Sequence, residues 1–204
     1  FKAQEETADN IYLNRRELEA IAAVDILPQN TSMRRSRDLF LIGCYTGLRV
    51  SDYTRLSRDH IVNINGVEFF EIASQKTGKL VTIRIHPVVR EIIKSNDGML
   101  PEHQPEQVIN QNIKTIGAMA GINEKVTIEK TTGGRKSRRK YRKFQLIKTH
   151  TARRSFCTNA YLEGLDCLDI MAVSGHTSEA NFLKYIKVTR RETAKRLAEH
   201  PFFQ

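Results

Sequence analysis

Between His60 and Ile85 the side-chain pattern changes from a helical period to a period of two, and this switch constrains the fold more than any other feature. Ile61-Val62-Asn63-Ile64 and Val67-Glu68-Phe69-Phe70-Glu71-Ile72 flank the dipeptide Asn65-Gly66. Asn-Gly tolerates positive φ at both central positions of a tight turn, so the segment predicts a β-hairpin. Gln75-Lys76-Thr77-Gly78-Lys79 predicts a second turn, and Leu80-Val81-Thr82-Ile83-Arg84-Ile85 a third strand. The chain therefore cannot be helical throughout. It is expected to be α+β: mainly helical, with a small three-stranded antiparallel sheet carrying Lys76 at one hairpin tip.

Helical signals surround that sheet. Asn14 as N-cap and Glu17 three residues on predict a capping box, followed by an apolar stripe of Leu18, Ile21, Ala22 and Ile26. A second helix from about Ser32 carries Leu39, Phe40, Ile42 and Gly43. Gly47 is placed to end it in a left-handed conformation, leaving Leu48-Arg49 to start a new turn. Further helices are expected from Pro87 to about Lys94, from Pro105 to Ala120, near His150, over Leu165–Val173, over Ser178–Tyr185 and over Thr189–Glu199. The polar stretch Thr131–Lys143, bounded by Val126, Ile128, Phe144, Leu146 and Ile147, reads as a basic hairpin excursion rather than a domain boundary.

A length of 204 residues suits one domain with a substantial core, and 40% hydrophobic against 27% charged residues is ordinary for a soluble protein. No apolar run approaches a membrane span. The chain opens on Phe1 and a polar stretch to Asn10, so residues 1–204 read as a single domain cut from a longer protein. Cys44, Cys157 and Cys167 are scattered without metal or disulfide spacing, which suggests reduced, buried thiols in a cytoplasmic protein. The net charge of +10 is concentrated: from Lys125 to Arg154 twelve Lys or Arg face the single acid Glu129. The rest of the chain is close to neutral. Such asymmetry points to a polyanion docking at one face.

The chemistry-bearing residues lie in separated boxes: Thr46-Gly47-Leu48-Arg49, Gln75-Lys76-Thr77-Gly78, His150-Thr151-Ala152-Arg153, Ser174-Gly175-His176 and Tyr185. Two arginines can fork onto phosphate oxygens, two histidines can move protons near neutral pH, and a tyrosine can act as a covalent nucleophile. Phosphodiester cleavage by an alcohol needs these functions, since negative charge builds on phosphorus and the leaving oxygen needs a proton. Singly, each residue has a plain structural explanation: a surface arginine, a histidine satisfied by backbone, a solvated hairpin lysine, a core tyrosine. No carboxylate pair or Cys/His cluster suggests a metal.

In this order, Thr46-Gly47-Leu48-Arg49-Val50-Ser51-Asp52, His150-Thr151-Ala152-Arg153-Arg154-Ser155, Gly175-His176 and Tyr185 nine residues later resemble the signature boxes of the tyrosine recombinases, or phage-type integrases. The likeness runs from about Tyr12 to the end of the chain. It implies the catalytic domain of a phage or mobile-element integrase, with an upstream DNA-clamping domain outside this chain. By resemblance Arg49, Lys76, His150, Arg153, His176 and Tyr185 form the catalytic set. His150 would assist proton transfer, His176 would bond the phosphate, and Lys76 would protonate the departing 5′ oxygen, with Lys79 as its competitor. Tyr185 would form a 3′-phosphotyrosyl bond. Neither ATP, metal nor another cofactor is then required.

Two positions depart from the family pattern: Asp52 stands where glutamate is frequent, and Arg154 where many members have histidine. Arg154 and the run Arg135, Lys136, Arg138, Arg139, Lys140, Arg142 and Lys143 are expected to contact the DNA backbone. The implied partners are double-stranded DNA at recombination sites, further protomers in a synaptic complex, and accessory DNA-bending proteins. Ala194, Leu197 and Ala198 with Phe202 and Phe203 form an apolar strip of a kind that usually folds onto its own domain, whereas the resemblance implies docking on a neighbouring protomer; both readings stand. The rival readings are a type IB topoisomerase, a non-catalytic DNA-binding regulator on the same scaffold and an RNA-binding module. The last lacks the aromatic-rich motifs of single-strand readers.

Overall fold

A computed structural model describes residues 11–132, 135–176 and 178–188, together with 193, 194 and 198; side chains are not described at 129–132, 135 and 136. The first helices are α1 (Arg15–Ala22), α2 (Thr31–Thr46) and the short α3 (Val50–Tyr53). Strands β1 (Ile61–Ile64), β2 (Val67–Ala73) and β3 (Leu80–Arg84) follow, then α4 (Pro87–Ser95) and α5 (Glu106–Met119). A ribbon of β4 (Lys125–Thr132) and β5 (Arg135–Arg142) leads through a 3-10 turn at Lys143–Leu146 into α6 (Thr149–Leu162), α7 (Cys167–Ser174) and α8 (Glu179–Leu183). Among the described residues no helix is long and apolar enough to cross a membrane.

Helix α2 is the hub. Leu39, Phe40, Leu41 and Ile42 are consecutive yet all buried, because α1, α3, α4, α5 and α6 surround its C-terminal half. Fully burying side chains of this size contributes roughly 2 kcal/mol each. The capping box at α1 is present: Asn14 Oδ1 accepts from the Glu17 N–H at 3.0 Å, and Glu17 Oε2 accepts from the Asn14 N–H at 2.8 Å. The apolar stripe is shorter than the sequence suggests, since Ala22 closes α1 exposed while Ile26 is buried beyond the helix end.

The three strands pair antiparallel in the order β1-β2-β3, with Ile64 opposite Val67 across the Asn65-Gly66 turn. Both turn residues have positive φ, 52° and 80°, as the dipeptide demands. Phe70, Ile72, Val81 and Ile83 turn one face of this sheet into the core. That burial fixes the register, because a slip of one residue would turn the apolar set outward.

The ribbon β4–β5 is built differently. Lys125 pairs with Arg142 and Thr132 with Arg135, but the pairing is two-stranded. Val126 and Ile128 are half-buried, alternating with exposed Lys125 and Thr127. Beyond the ribbon a second, smaller core of Cys157, Ile170 and Phe182 joins α6, α7 and α8. The helix expected to reach Tyr185 stops at Leu183, so Tyr185 lies in the turn that follows. The helix expected over Thr189–Glu199 and the tail with Phe202 and Phe203 lie outside the described residues, apart from isolated helical positions at 193, 194 and 198.

Candidate active site

Gly47 closes α2 with φ 66°, and its N–H donates to Gly43 O at 3.0 Å. Any side chain here would be strained by that φ and would run into the Phe156 ring. The reversal buries Leu48 and leaves Arg49 at the N-cap of α3. Arg49 is held loosely: Nη1 donates to Ser74 Oγ at 3.4 Å and Nη2 to Gly175 O at 3.5 Å. Ser74 Oγ in turn donates to Asp52 Oδ2 at 3.1 Å, and the Gln75 N–H donates to Asp52 Oδ1 at 2.8 Å. Asp52, fully buried, therefore braces Arg49 through Ser74 and anchors the turn that carries Lys76. Ser74 was not singled out from sequence; no local pattern marks a residue that matters only because the sheet folds back on α3.

Helix α6 supplies the second arginine. Arg153 is only 3% exposed, and its Nη1 donates to Gly47 O at 2.8 Å. Its Nη2 lies 3.4 Å from His176 Nδ1 and 3.3 Å from Nε2. Its Nε has no hydrogen-bond partner among the described residues. Burial lowers the Arg153 pKa from the usual arginine value, and the nearby Arg49 charge acts in the same direction. A guanidinium so desolvated gains much from an anion.

His176 follows Gly175, which ends α7 with φ 65°. The His176 N–H donates to Met171 O at 3.0 Å, so the imidazole is fixed just past the helix end. Burial, then the charges of Arg153, Arg49 and His150, push its pKa down to about 3. His176 is neutral at pH 7. The sequence implied a phosphate-bonding histidine here without revealing its charge.

Tyr185 is framed by aromatic and cationic groups. Its ring centroid lies 4.5 Å from that of His176 and 5.1 Å from that of His150, both edge-on. The guanidinium carbons of Arg153 and Arg154 lie 5.6 Å and 5.7 Å from the ring centre. Phe182, fully buried, anchors the segment. Thr158 clamps its backbone: Oγ1 donates to Tyr185 O at 3.0 Å and accepts from the Lys187 N–H at 3.2 Å. Thr158 also escaped the sequence reading, being one of many helical threonines.

Arg49, Lys76, His150, Arg153, His176 and Tyr185 all line one cavity of about 620 Å³. Lys76 stands on an exposed turn at its rim, whereas Lys79, beyond the turn, does not line it. Two residues expected at a DNA surface lie elsewhere. Lys143 is 8% exposed, and its Nζ pairs with Glu17 Oε1 at 2.7 Å; the internal carboxylate consumes the charge. Arg154 is buried beneath the Tyr185 ring, because consecutive helical positions cannot both face the cavity that Arg153 lines. Arg138, Arg139, Lys140 and Arg142 are exposed on β5. Arg135 and Lys136 belong to the same strand, but their side chains lie outside the described set.

This fold recurs in DNA-recombining enzymes of low sequence similarity. The XerH recombinase in a post-cleavage complex with a palindromic difH substrate matches with a TM-score of 0.64 at 16% identity, over 94% of this chain and 53% of XerH. XerA recombinase matches with a TM-score of 0.65 at 19% identity, over 94% and 65%. The catalytic domain of bacteriophage HP1 integrase matches with a TM-score of 0.53 at 16% identity, over 93% and 95%. The chain thus spans roughly half to two thirds of the XerH and XerA chains. No curated protein sequence matches. The phage integrase family model covers residues 12–192, and the chain belongs to that family.

Proposed function

We propose that the chain is the catalytic domain of a tyrosine recombinase that cuts and rejoins DNA at specific sites. One observation carries this reading: six residues from five separated boxes converge on a single cavity, with the Tyr185 ring between two histidines and over the Arg153 guanidinium. Binding alone has no use for a tyrosine in that setting. XerH, lambda integrase and the Tn1549 transposon integrase were each solved with DNA, which supports the same substrate class here.

In this mechanism Arg49 and Arg153 take the non-bridging oxygens of the scissile phosphate. Tyr185 Oη attacks phosphorus as its proton passes to His150, the bond to the 5′ oxygen breaks, and Lys76 protonates that oxygen. The product is a 3′-phosphotyrosyl bond and a free 5′ hydroxyl. Attack by the 5′ hydroxyl of another strand reverses the chemistry and frees Tyr185. One phosphoester replaces another at every step, so neither ATP nor a metal is needed. The exposed cations of β5 guide the duplex toward the cavity, and further protomers complete the exchange.

A nicked half-site oligonucleotide, which loses its short cleaved product, should trap the chain as an adduct stable in denaturing gels. Tyr185→Phe should abolish the adduct while leaving duplex affinity within a few-fold, and EDTA should have no effect. An adduct that persists in Tyr185→Phe, or cleavage lost with chelator and restored by magnesium, would defeat the assignment.

A further inference from the structure

Helix α6 brings His150 and Arg153 to the cavity, yet its start has no side-chain cap of its own. Lys148 holds the N-cap position, where serine, threonine, asparagine or aspartate would offer an oxygen to the open N–H groups of the first turn. An ammonium has only protons to give. Acceptors come instead from α5. Asn110 Oδ1 accepts from the Thr149 N–H at 2.7 Å, and Glu106 Oε1 accepts from Thr149 Oγ1 at 2.5 Å. Thr149 is buried, and α5 is anchored in the core by Ile109, Ile113 and Ile116. The first residue of α6 is therefore pinned, through both backbone and side chain, to a fixed neighbour.

Glu106 also stands in an unexpected place. It lines the cavity together with Thr149 and His150, and it is the single acid among the described residues that do so. A carboxylate beside a phosphate site repels the ligand. Two local effects oppose that cost. Glu106 holds Thr149, and it is the first residue of α5 as well as a neighbour of the start of α6, so its charge is favoured at two helix N-termini.

We propose that Glu106 is a positioning residue that, with Asn110, sets the first turn of α6 and so aims His150 at Tyr185. Glu106 touches no reacting atom in this role. The link to chemistry rests on the recombinase reading, in which His150 takes the Tyr185 proton. A misplacement of about 1 Å can cost a catalytic group up to about a hundredfold, and one loosened helix turn is expected to cost about tenfold.

Single-turnover cleavage of the nicked half-site, duplex affinity and the His150 ring signals in NMR test the proposal. Glu106→Ala should slow cleavage about tenfold, while duplex binding stays the same or tightens because a repelling charge is gone. Glu106→Gln loses the same charge but keeps an oxygen for Thr149, and should cleave close to the wild-type rate. Thr149→Val should match Glu106→Ala, and the double variant should be no slower than either, since each breaks the same bond. Cleavage in Glu106→Gln as slow as in Glu106→Ala would make the charge, not the contact, the active element and overturn the proposal. Additive losses in the double variant, or wild-type cleavage in Glu106→Ala, would overturn it too. The His150 signals need no substrate: they should move in Glu106→Ala and return in Glu106→Gln, and unmoved signals would defeat the positioning role by themselves. A wild-type chain that cleaves nothing, with His150 signals that respond as expected, would sink the recombinase reading alone.

Discussion

Arg153 and Lys76 line the same cavity, yet one is buried in the contact between α2 and α6 while the other stands on an exposed turn between β2 and β3. Arg153 is held by Gly47 O and His176 before any ligand arrives. The turn bearing Lys76 is anchored to α3 at its base, where Ser74 and Gln75 meet Asp52. The contrast fits the chemistry that the proposed mechanism asks of each. An anion clamp works best preorganised in a low-dielectric wall, because nothing must then reorient as charge develops. A proton donor to a leaving group needs only to arrive when the bond breaks, and a lysine on a short turn can swing in and out.

This contrast fails if both residues behave alike on mutation. Arg153→Ala should reduce single-turnover cleavage by about a thousandfold. It should also lower the melting temperature, since Gly47 O and His176 lose their shared partner. Lys76→Ala should reduce cleavage by about a hundredfold with the melting temperature unchanged. A substrate with sulfur in place of the bridging 5′ oxygen should rescue it, because a thiolate leaves without a proton. Rescue of Lys79→Ala in place of Lys76→Ala would move the acid to the far side of the turn, outside the cavity lining.

The same distinction between buried and exposed charge divides the basic run. Lys143→Met should destabilise the fold by about 3 kcal/mol, because it strands the largely buried Glu17 carboxylate, with little change in the salt dependence of DNA binding. Neutralising Arg138, Arg139, Lys140 and Arg142 should leave stability nearly untouched. It should flatten the log–log salt dependence by about 0.9 for each residue that touches a phosphate. An unchanged slope would mean that the ribbon faces away from DNA.

A smaller effect concerns acid stability. His176 stays neutral in the folded chain down to about pH 3, while in the unfolded chain it takes up a proton below its ordinary value of 6.5. The unfolded state therefore binds more protons in that window, and stability falls as pH drops from 6.5 toward 3. His86, lowered mainly by burial, acts in the same direction. His176→Gln should make the melting temperature less dependent on pH between 6 and 4; an unaltered slope would show that the imidazole is already charged in the fold.

Local chemistry made much of this molecule readable from the chain. Asn65-Gly66 specifies its hairpin because few other dipeptides accept two positive φ angles, and Asn14 with Glu17 specifies a helix start for an equally local reason. Glycine at 47 and 175 marks helix ends whose next residues face the cavity, so Arg49 and His176 could be found by position. Sequence could not distinguish Lys76 from Lys79, or Lys143 from its exposed neighbours, because the difference lies in what stands opposite each side chain. Ser74 and Thr158 were silent for the same reason, since each acts on a group remote from it in the chain. Backbone propensity is settled within a few residues and so is written in the chain. Burial, charge state and hydrogen-bond partner depend on groups remote in the chain, from Asp52 under Ser74 to Gly47 under Arg153, and only their packing around α2 and α6 decided them.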